Sequence, residues 1–156
     1  PSAWARGQAW GLYGCTAMFR ETREPEYLER ALKIADFLVQ HPRMPADGVP
    51  YWDFDAPGLP NVPRDSSAAA TMASALFELA GFADADRAAL YRMTAVKQVR
   101  SLASPAYRAA VGANGGFILM HATGHHPEGR EIDVPLVYGD YHFLEALTRF
   151  EAAMKR

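Results

Sequence analysis

Cysteine is all but missing from this 156-residue chain. Cys15 stands alone between Gly14 and Thr16, which excludes an internal disulfide and gives no redox address; it reads as core packing. A surplus of positive charge is missing too. Lys and Arg number 16 against 18 Asp and Glu, for a formal net charge of -2. No global basic field therefore draws in nucleic acid, and an anionic ligand has to be met by local groups. No apolar run approaches the roughly 20 residues of a membrane span, and the start carries no signal-peptide pattern. The five histidines form no metal set. His125 and His126 adjoin a turn with His121 four residues back, but no helical i,i+4 pair is joined by a carboxylate as third ligand. No metal and no cofactor is expected.

What remains is a globular composition, 49% hydrophobic and 22% charged, enough for one domain over residues 1–156 with a real core. The chain opens on Pro1 rather than Met, and a helix-like aromatic pattern begins within four residues. That reads as a cut into an existing fold, with an N-terminal part missing.

The fold class read from the pattern is all-α, about five helices in antiparallel succession. The first runs from about Ala3 to Arg20, and its Gly7, Gly11 and Gly14 imply a close neighbour. The second opens on Pro25, a first-turn residue, and Leu28, Ala31, Leu32, Ala35, Leu38 and Val39 keep the helical period. A long proline-rich connection, 42–64, follows; such connections in compact domains are usually functional. Asp65 caps a third helix rich in small residues, and Asp84 opens a fourth with Leu90, Met93, Val96, Val99 and Leu102 as its apolar stripe. Near 116–137 the glycines and short apolar runs predict a β-hairpin or extended loop, with Phe117–Met120 as its first arm and Gly124, Pro127 and Gly129 at its tip. A last helix from Asp140 turns Phe143, Leu144, Leu147 and Phe150 inward. This rhythm fits a bundle, a solenoid or part of an α/α barrel.

The first candidate site is Trp4, Arg6, Gln8 and Trp10. Arg6 and Trp10 are four apart and share a helix face. An indole covers the apolar face of a pyranose, and a guanidinium can fork onto a carboxylate. Gln8 can add a hydroxyl contact. The plainer reading makes both tryptophans core and Arg6 a solvated cation. Asp53 and Asp55, beside Tyr51 and Trp52, invite a glycosidase reading as acid and nucleophile; the plainer one has them cap helices and satisfy loop donors. Arg64 reads as a structural ion-pair partner. His125 and Arg130, in the loop from His121 to Arg130, are weaker binding candidates.

The string Ser2-Ala3-Trp4-Ala5-Arg6-Gly7-Gln8-Ala9-Trp10-Gly11 resembles a signature of the unsaturated glucuronyl hydrolases, glycoside hydrolase family eighty-eight. Three further blocks follow in family order: Asp47 to Pro57, Arg64 to Ala70, and Glu131 to Leu136 leading to Tyr141 to Leu147. The resemblance spans the whole chain. It implies a partial α/α barrel of the six-hairpin glycosidase type. It implies hydration of the C4=C5 double bond of an unsaturated uronic acid at the non-reducing end of lyase-cut oligosaccharides, with release of the uronic acid. It makes Trp4, Arg6 and Trp10, with Gln8, substrate-pocket residues. It places the family's catalytic aspartates outside this chain, so no residue here is assigned a catalytic role, and the chain alone is expected to be inactive. The implied partners are an unsaturated uronic-acid oligosaccharide and the missing N-terminal part or a second copy of the chain, in a bacterial cytoplasm or periplasm. Related rhamnogalacturonyl hydrolases typically read Arg-Gly-Asn-Gly-Trp where this chain has Arg6-Gly7-Gln8-Ala9-Trp10. A non-catalytic carbohydrate-binding or scaffold module is the reading of a different class.

Overall fold

The computed structural model describes residues 2–155. Its elements are α1 (Ala5–Thr22), α2 (Pro25–Val39), α3 (Ser66–Leu79), α4 (Ala85–Ala103), β1 (Ala122–His125), β2 (Arg130–Val134) and α5 (Val137–Met154). The helix α3 is the hub. Every residue of it except Phe77 and Glu78 is buried, and α1, α4 and α5 pack around it. Its serines and alanines permit this, because small side chains let neighbouring backbones come close. The fit is tightest at Gly139 of α5, where an added Cβ would lie 3.1 Å from Ser67 Cβ. Leu12, Leu38, Met72, Leu76 and Leu79 are fully buried in the main core, each worth about 1.5–3 kcal/mol against exposure. A second cluster around Val49, Leu102, Leu119 and Phe143 lies beside it.

Helix starts follow the expected chemistry. Pro25 is the first residue of α2. The Asp65 side chain accepts from Ser67 N and Ala68 N, and that of Asp84 accepts from Arg87 N.

Two apolar faces differ from expectation. In α4 the buried line is Ala88, Tyr91, Ala95, Val99 and Leu102, with Thr94 and Gln98, while Met93 is 62% exposed. The helix is rolled toward its polar groups because these find partners. Tyr91 donates its hydroxyl to Asp36 at 2.6 Å and Gln98 Nε2 donates to Gly48 O at 3.0 Å. In α5, Phe143 is buried and Leu147 packs against the core as expected, but Leu144 is exposed and Gly139, His142 and Ala146 face inward in its place; the close approach of Gly139 to Ser67 fixes that roll.

The hairpin exists, with a different first arm. β1 pairs antiparallel with β2, Thr123 opposite Ile132 and His125 opposite Arg130, with an irregularity after Ala122. Gly124 thus lies in a strand, and Pro127 and Gly129 form the tip. Residues 117–120 stay outside the strand because their backbone is claimed elsewhere. Asp140 accepts from Ile118 N at 2.8 Å and Leu119 N at 2.9 Å, and Met120 N donates to Tyr107 O.

The 42–64 connection has no helix or strand but is pinned along its length. Ala5 N donates to Trp52 O, Phe54 N to Ala3 O, Trp52 N to Pro63 O and Asp65 N to Pro50 O, all between 2.9 and 3.1 Å. Arg64 meets Asp47 at 2.8 Å and donates to Val49 O, so it is the structural pairing residue expected.

Candidate functional site

Arg6 sits in the first turn of α1 and Asp65 is the N-cap of α3. Arg6 Nη1 meets Asp65 Oδ2 at 2.8 Å, with the two side chains 3% and 0% exposed. Nη1 also donates to the carbonyl of Thr123, and Nη2 donates to that of Gly124 at 2.5 Å. The other Asp65 oxygen accepts from Ser67 Oγ at 2.5 Å, Ser67 N at 3.1 Å and Ala68 N at 3.3 Å. Burial pushes the Asp65 carboxyl up from its ordinary range, and the Arg6 charge and the Ser67 and Ala68 donors oppose that rise.

Three aromatic rings surround the guanidinium. Its central carbon lies 4.9 Å from the Trp4 ring centre, 5.3 Å from Trp10 and 5.3 Å from Tyr138. The rings also meet edge to face, Trp4 to Trp10 at 5.6 Å and Trp10 to Tyr138 at 5.7 Å. A cation over an aromatic face gains about 2 kcal/mol when water is excluded. Burial raises the Tyr138 phenol above its usual value, against the opposing charge of Arg6.

On the hairpin side of Trp4 lies a hollow of about 250 Å³, bounded by Trp52, Thr123, Gly124, His125, His126 and others. Its outer wall is a stack of Trp52 on His126, ring centres 4.2 Å apart and 5° from parallel. A hollow of this size, with indole faces and the cation-bearing wall beside it, suits a single planar or flattened ring carrying a few polar groups. A wider hollow of about 660 Å³ lies over the proline-rich loop between Arg43 and Pro60. Of Trp4, Arg6 and Trp10, only Trp4 lines the smaller hollow and none lines the wider one.

The sequence-derived candidates fall into three groups. Arg6 and Trp10 share a face, as their spacing requires, and Trp4 joins them. Arg6 is not the solvated cation of the plainer reading, and its fork is not open to a ligand carboxylate as the site reading had it, since Asp65 and two hairpin carbonyls take both of its terminal nitrogens. Its Nε–H is buried with no hydrogen-bond partner. Gln8 is half-buried on α1. His125 lines the hollow at the end of β1, whereas Arg130 is turned away, 77% exposed and 3.7 Å from Glu128.

Asp53 accepts from Ala3 N at 3.1 Å and Asp55 N at 2.7 Å and from the Ser2 hydroxyl. Asp55 pairs with Arg43 at 2.8 Å. Both fasten the loop, and the acid–nucleophile pair is not formed. Trp52, His126, Tyr138 and Asp65 were missed as site residues. The two polar ones look like a turn residue and a cap in sequence, and Trp52 and Tyr138 meet Trp4 and Arg6 only through the tertiary fold. Among the described residues no group of three or more His, Cys, Asp or Glu is placed to hold a metal. Among the described residues no helix is long and apolar enough to cross a membrane.

No family model matches the chain. It is 49% identical over 148 residues to an unsaturated glucuronyl hydrolase of Formosa agariphila, covering 95% of this chain and 36% of that protein. The same enzyme of Bacillus sp. strain GL1 is 38% identical, over 96% of this chain and 40% of the relative. Among solved structures, an unsaturated glucuronyl hydrolase specific for heparin superposes with a TM-score of 0.94 at 45% identity, over 100% of this chain and 42% of that one. A variant of the Streptococcus agalactiae enzyme complexed with dGlcA-GalNAc6S superposes at 0.86 and 31% identity, over 96% and 40%. The chain is thus homologous to unsaturated glucuronyl hydrolases and is built as part of their α/α barrel. It spans about two fifths of the length of the relatives it matches.

Proposed function

We propose that this chain, homologous to part of the unsaturated glucuronyl hydrolases, contributes the sugar-binding wall of a glycoside hydrolase that releases unsaturated uronic acids from lyase-cut oligosaccharides. The observation that carries the proposal is the Arg6 guanidinium held inside the Trp4, Trp10 and Tyr138 rings beside the 250 Å³ hollow. An unsaturated uronic ring is flattened at C4=C5 and carries one carboxylate. The indoles meet the flattened face. The buried Arg6 cation, held by Asp65 and the Thr123 and Gly124 carbonyls, braces the wall behind the ring and adds positive potential on the side where the carboxylate sits. Gln8 and His125 supply polar contacts at the edges.

The reaction is a hydration. A proton is delivered to C4 and water adds at C5, giving a hemiketal whose opening breaks the glycosidic bond and frees the neighbouring sugar. The proton-transferring carboxyl lies outside these 156 residues on this reading. Asp53, Asp55 and Asp65 are all committed to structural bonds. The residues here bind and orient the ring; protonation at C4 leaves positive charge at C5 that the ring oxygen stabilises, so water adds at that carbon only.

The test uses full-length protein and unsaturated disaccharides from heparin and from chondroitin, followed by loss of the double-bond absorbance. Turnover of either is the expected result. Turnover only of unsaturated rhamnogalacturonyl substrates would move the chain to that neighbouring activity. Binding without turnover by full-length protein would leave the carbohydrate-binding module.

A further inference from the structure

We propose that Asp65 is a positioning residue for the sugar-binding wall. Through Arg6 it holds the β1–β2 hairpin and the aromatic cage in register with α1. The inference rests on the reading of the hollow given above and adds a residue to it.

Capping does not account for the chemistry at position 65. A helix N-cap needs one acceptor oxygen, and serine, threonine or asparagine serve about as well as aspartate. Asp65 uses one oxygen for the cap, toward Ser67 and Ala68. The second oxygen faces Arg6. Keeping a carboxylate at 0% exposure costs desolvation that a neutral cap would avoid. The N-terminus of α3 also favours a negative charge, but the strong partner for it is Arg6, at 2.8 Å.

The pair, in turn, reaches the hairpin. The nitrogen that meets Asp65 also donates to Thr123 O, and its neighbour donates to Gly124 O; both residues line the hollow. A two-stranded hairpin is marginal on its own. β2 is exposed or half-buried throughout. The hairpin's other polar ties to the body are few: Ser66 N to His121 O and Thr123 Oγ1 to Arg64 O at 2.9 Å. Arg6 therefore supplies two charge-assisted bonds to β1, the strand through which the exposed β2 is held to the body. Asp65 sets the height and angle of the guanidinium that makes them. It also fixes the guanidinium against Trp4 and Trp10, so the two sides of the hollow share one anchor.

The experiment compares full-length wild type with Asp65→Asn, Arg6→Met and the double variant. Asparagine keeps the cap acceptor and removes the charge. Amide exchange at 122–134 and the near-ultraviolet tryptophan signal report the wall without any substrate. KM and kcat on unsaturated heparin and chondroitin disaccharides report binding. For Asp65→Asn the expected result is unchanged helix content, exchange across 122–134 faster by about tenfold, and KM raised about tenfold with kcat within about twofold. In the Arg6→Met background, adding Asp65→Asn is expected to give no further rise in exchange and to slow it in part, because Asp65 acts through Arg6 and the variant removes the unpaired buried charge that Arg6→Met leaves. Hairpin exchange and tryptophan signal at wild-type values in Asp65→Asn would overturn the proposal. So would an equal further rise in the double variant, which decides the matter if Asp65→Asn alone does not fold. A wild type that protects its hairpin but turns over neither disaccharide would sink the functional reading and leave the exchange result standing.

Discussion

The indole of Trp4 lies across the bare α-carbon of Gly7: a Cβ at position 7 would sit 2.6 Å from Trp4 Cε3 and 3.3 Å from Cδ2 and Cζ3. Glycine inside a helix costs about 1 kcal/mol relative to alanine, and here that cost places a wall of the hollow. Gly7→Ala gains helix propensity and loses the seat of the ring, two terms of similar size. The expected outcome is a melting temperature near wild type with an altered near-ultraviolet tryptophan spectrum and weaker sugar binding. A wild-type spectrum would show that the indole has another support.

The stack of Trp52 on His126 closes the hollow from outside. Such a ring pair contributes about 0.5–1.5 kcal/mol beyond its buried area. His126→Ala is expected to change stability by no more than that amount, to open the hollow and to raise KM several-fold. His126→Phe keeps a flat ring and is expected to restore KM. Denaturant midpoints measured beside KM separate the two effects. A KM unmoved by His126→Ala would place the stack outside the binding wall.

The helices were legible because each carries a local signal: Pro25, Asp65 and Asp84 at starts, and the i, i+3, i+4 rhythm of α2. What local pattern could not fix was the roll of α4 and α5. Tyr91 and Gln98 are polar by type yet buried, because Asp36 and Gly48 O, far off in sequence, satisfy them. Met93 and Leu144 are apolar yet exposed for the same reason in reverse. The site was half legible. The Arg6–Trp10 spacing put a cation and an indole on one face, whereas its partners Asp65, Thr123, Trp52 and Tyr138 come from four distant segments. Asp65 was hidden behind its own cap role, since sequence assigns one task per residue and this carboxylate has two.

His142 gives the fold a response to acid. Its ring is buried beside Tyr13 at 4.8 Å and Tyr141 at 5.1 Å. Burial lowers its pKa below 6.5, with Glu145 opposing. An unfolded chain takes up the proton that the folded chain resists, so stability is full above 6.5 and declines as pH falls below it. Glu145 adds loss at lower pH. Burial raises its carboxyl, but the Ser74 hydroxyl, Arg149 and Tyr13 hold it below 4.5. Asp65, shifted upward, acts in the opposite sense. His142→Gln is therefore expected to flatten the stability profile as pH falls below 6.5, read from denaturant midpoints across pH. An unchanged slope would mean that His142 titrates as freely folded as unfolded.

Tyr13 and Tyr107 contribute to the alkaline response, as do the raised phenols of Tyr91 and Tyr138. Burial pushes the Tyr13 and Tyr107 phenols to about 12, with the carboxylates of Glu145 and Asp47 adding to the rise. The raised folded values mean that their contribution is complete below 10 and is lost as pH climbs toward 12. Glu145→Gln keeps an acceptor for the Tyr13 hydroxyl, 3.0 Å away, and removes the charge. The Tyr13 phenol is expected to titrate lower in that variant yet stay above 10, since burial, the largest cause, remains. Chemical shifts of a ring-labelled Tyr13 across pH would show it. A titration unmoved from wild type would assign the whole rise to burial.

Arg6 separates structure from binding most sharply. Cutting it to alanine removes four hydrogen bonds and leaves Asp65 as an unpaired carboxylate at 0% exposure. Breaking a buried pair in this way costs about 3–5 kcal/mol, and the three rings lose their central cation. Arg6→Ala in full-length protein is therefore expected to lower the denaturant midpoint and to weaken sugar binding together. Arg6→Lys keeps the charge but has one nitrogen where the guanidinium has two engaged, so it can hold Asp65 or the Thr123 and Gly124 carbonyls less completely. It is expected to recover most of the stability and little of the binding. If Arg6→Lys restored both in full, point charge alone would suffice and the fork geometry would be irrelevant. If Arg6→Ala left both at wild-type values, the residue would be a solvated surface cation, and its burial among Trp4, Trp10 and Tyr138 would have no energetic consequence.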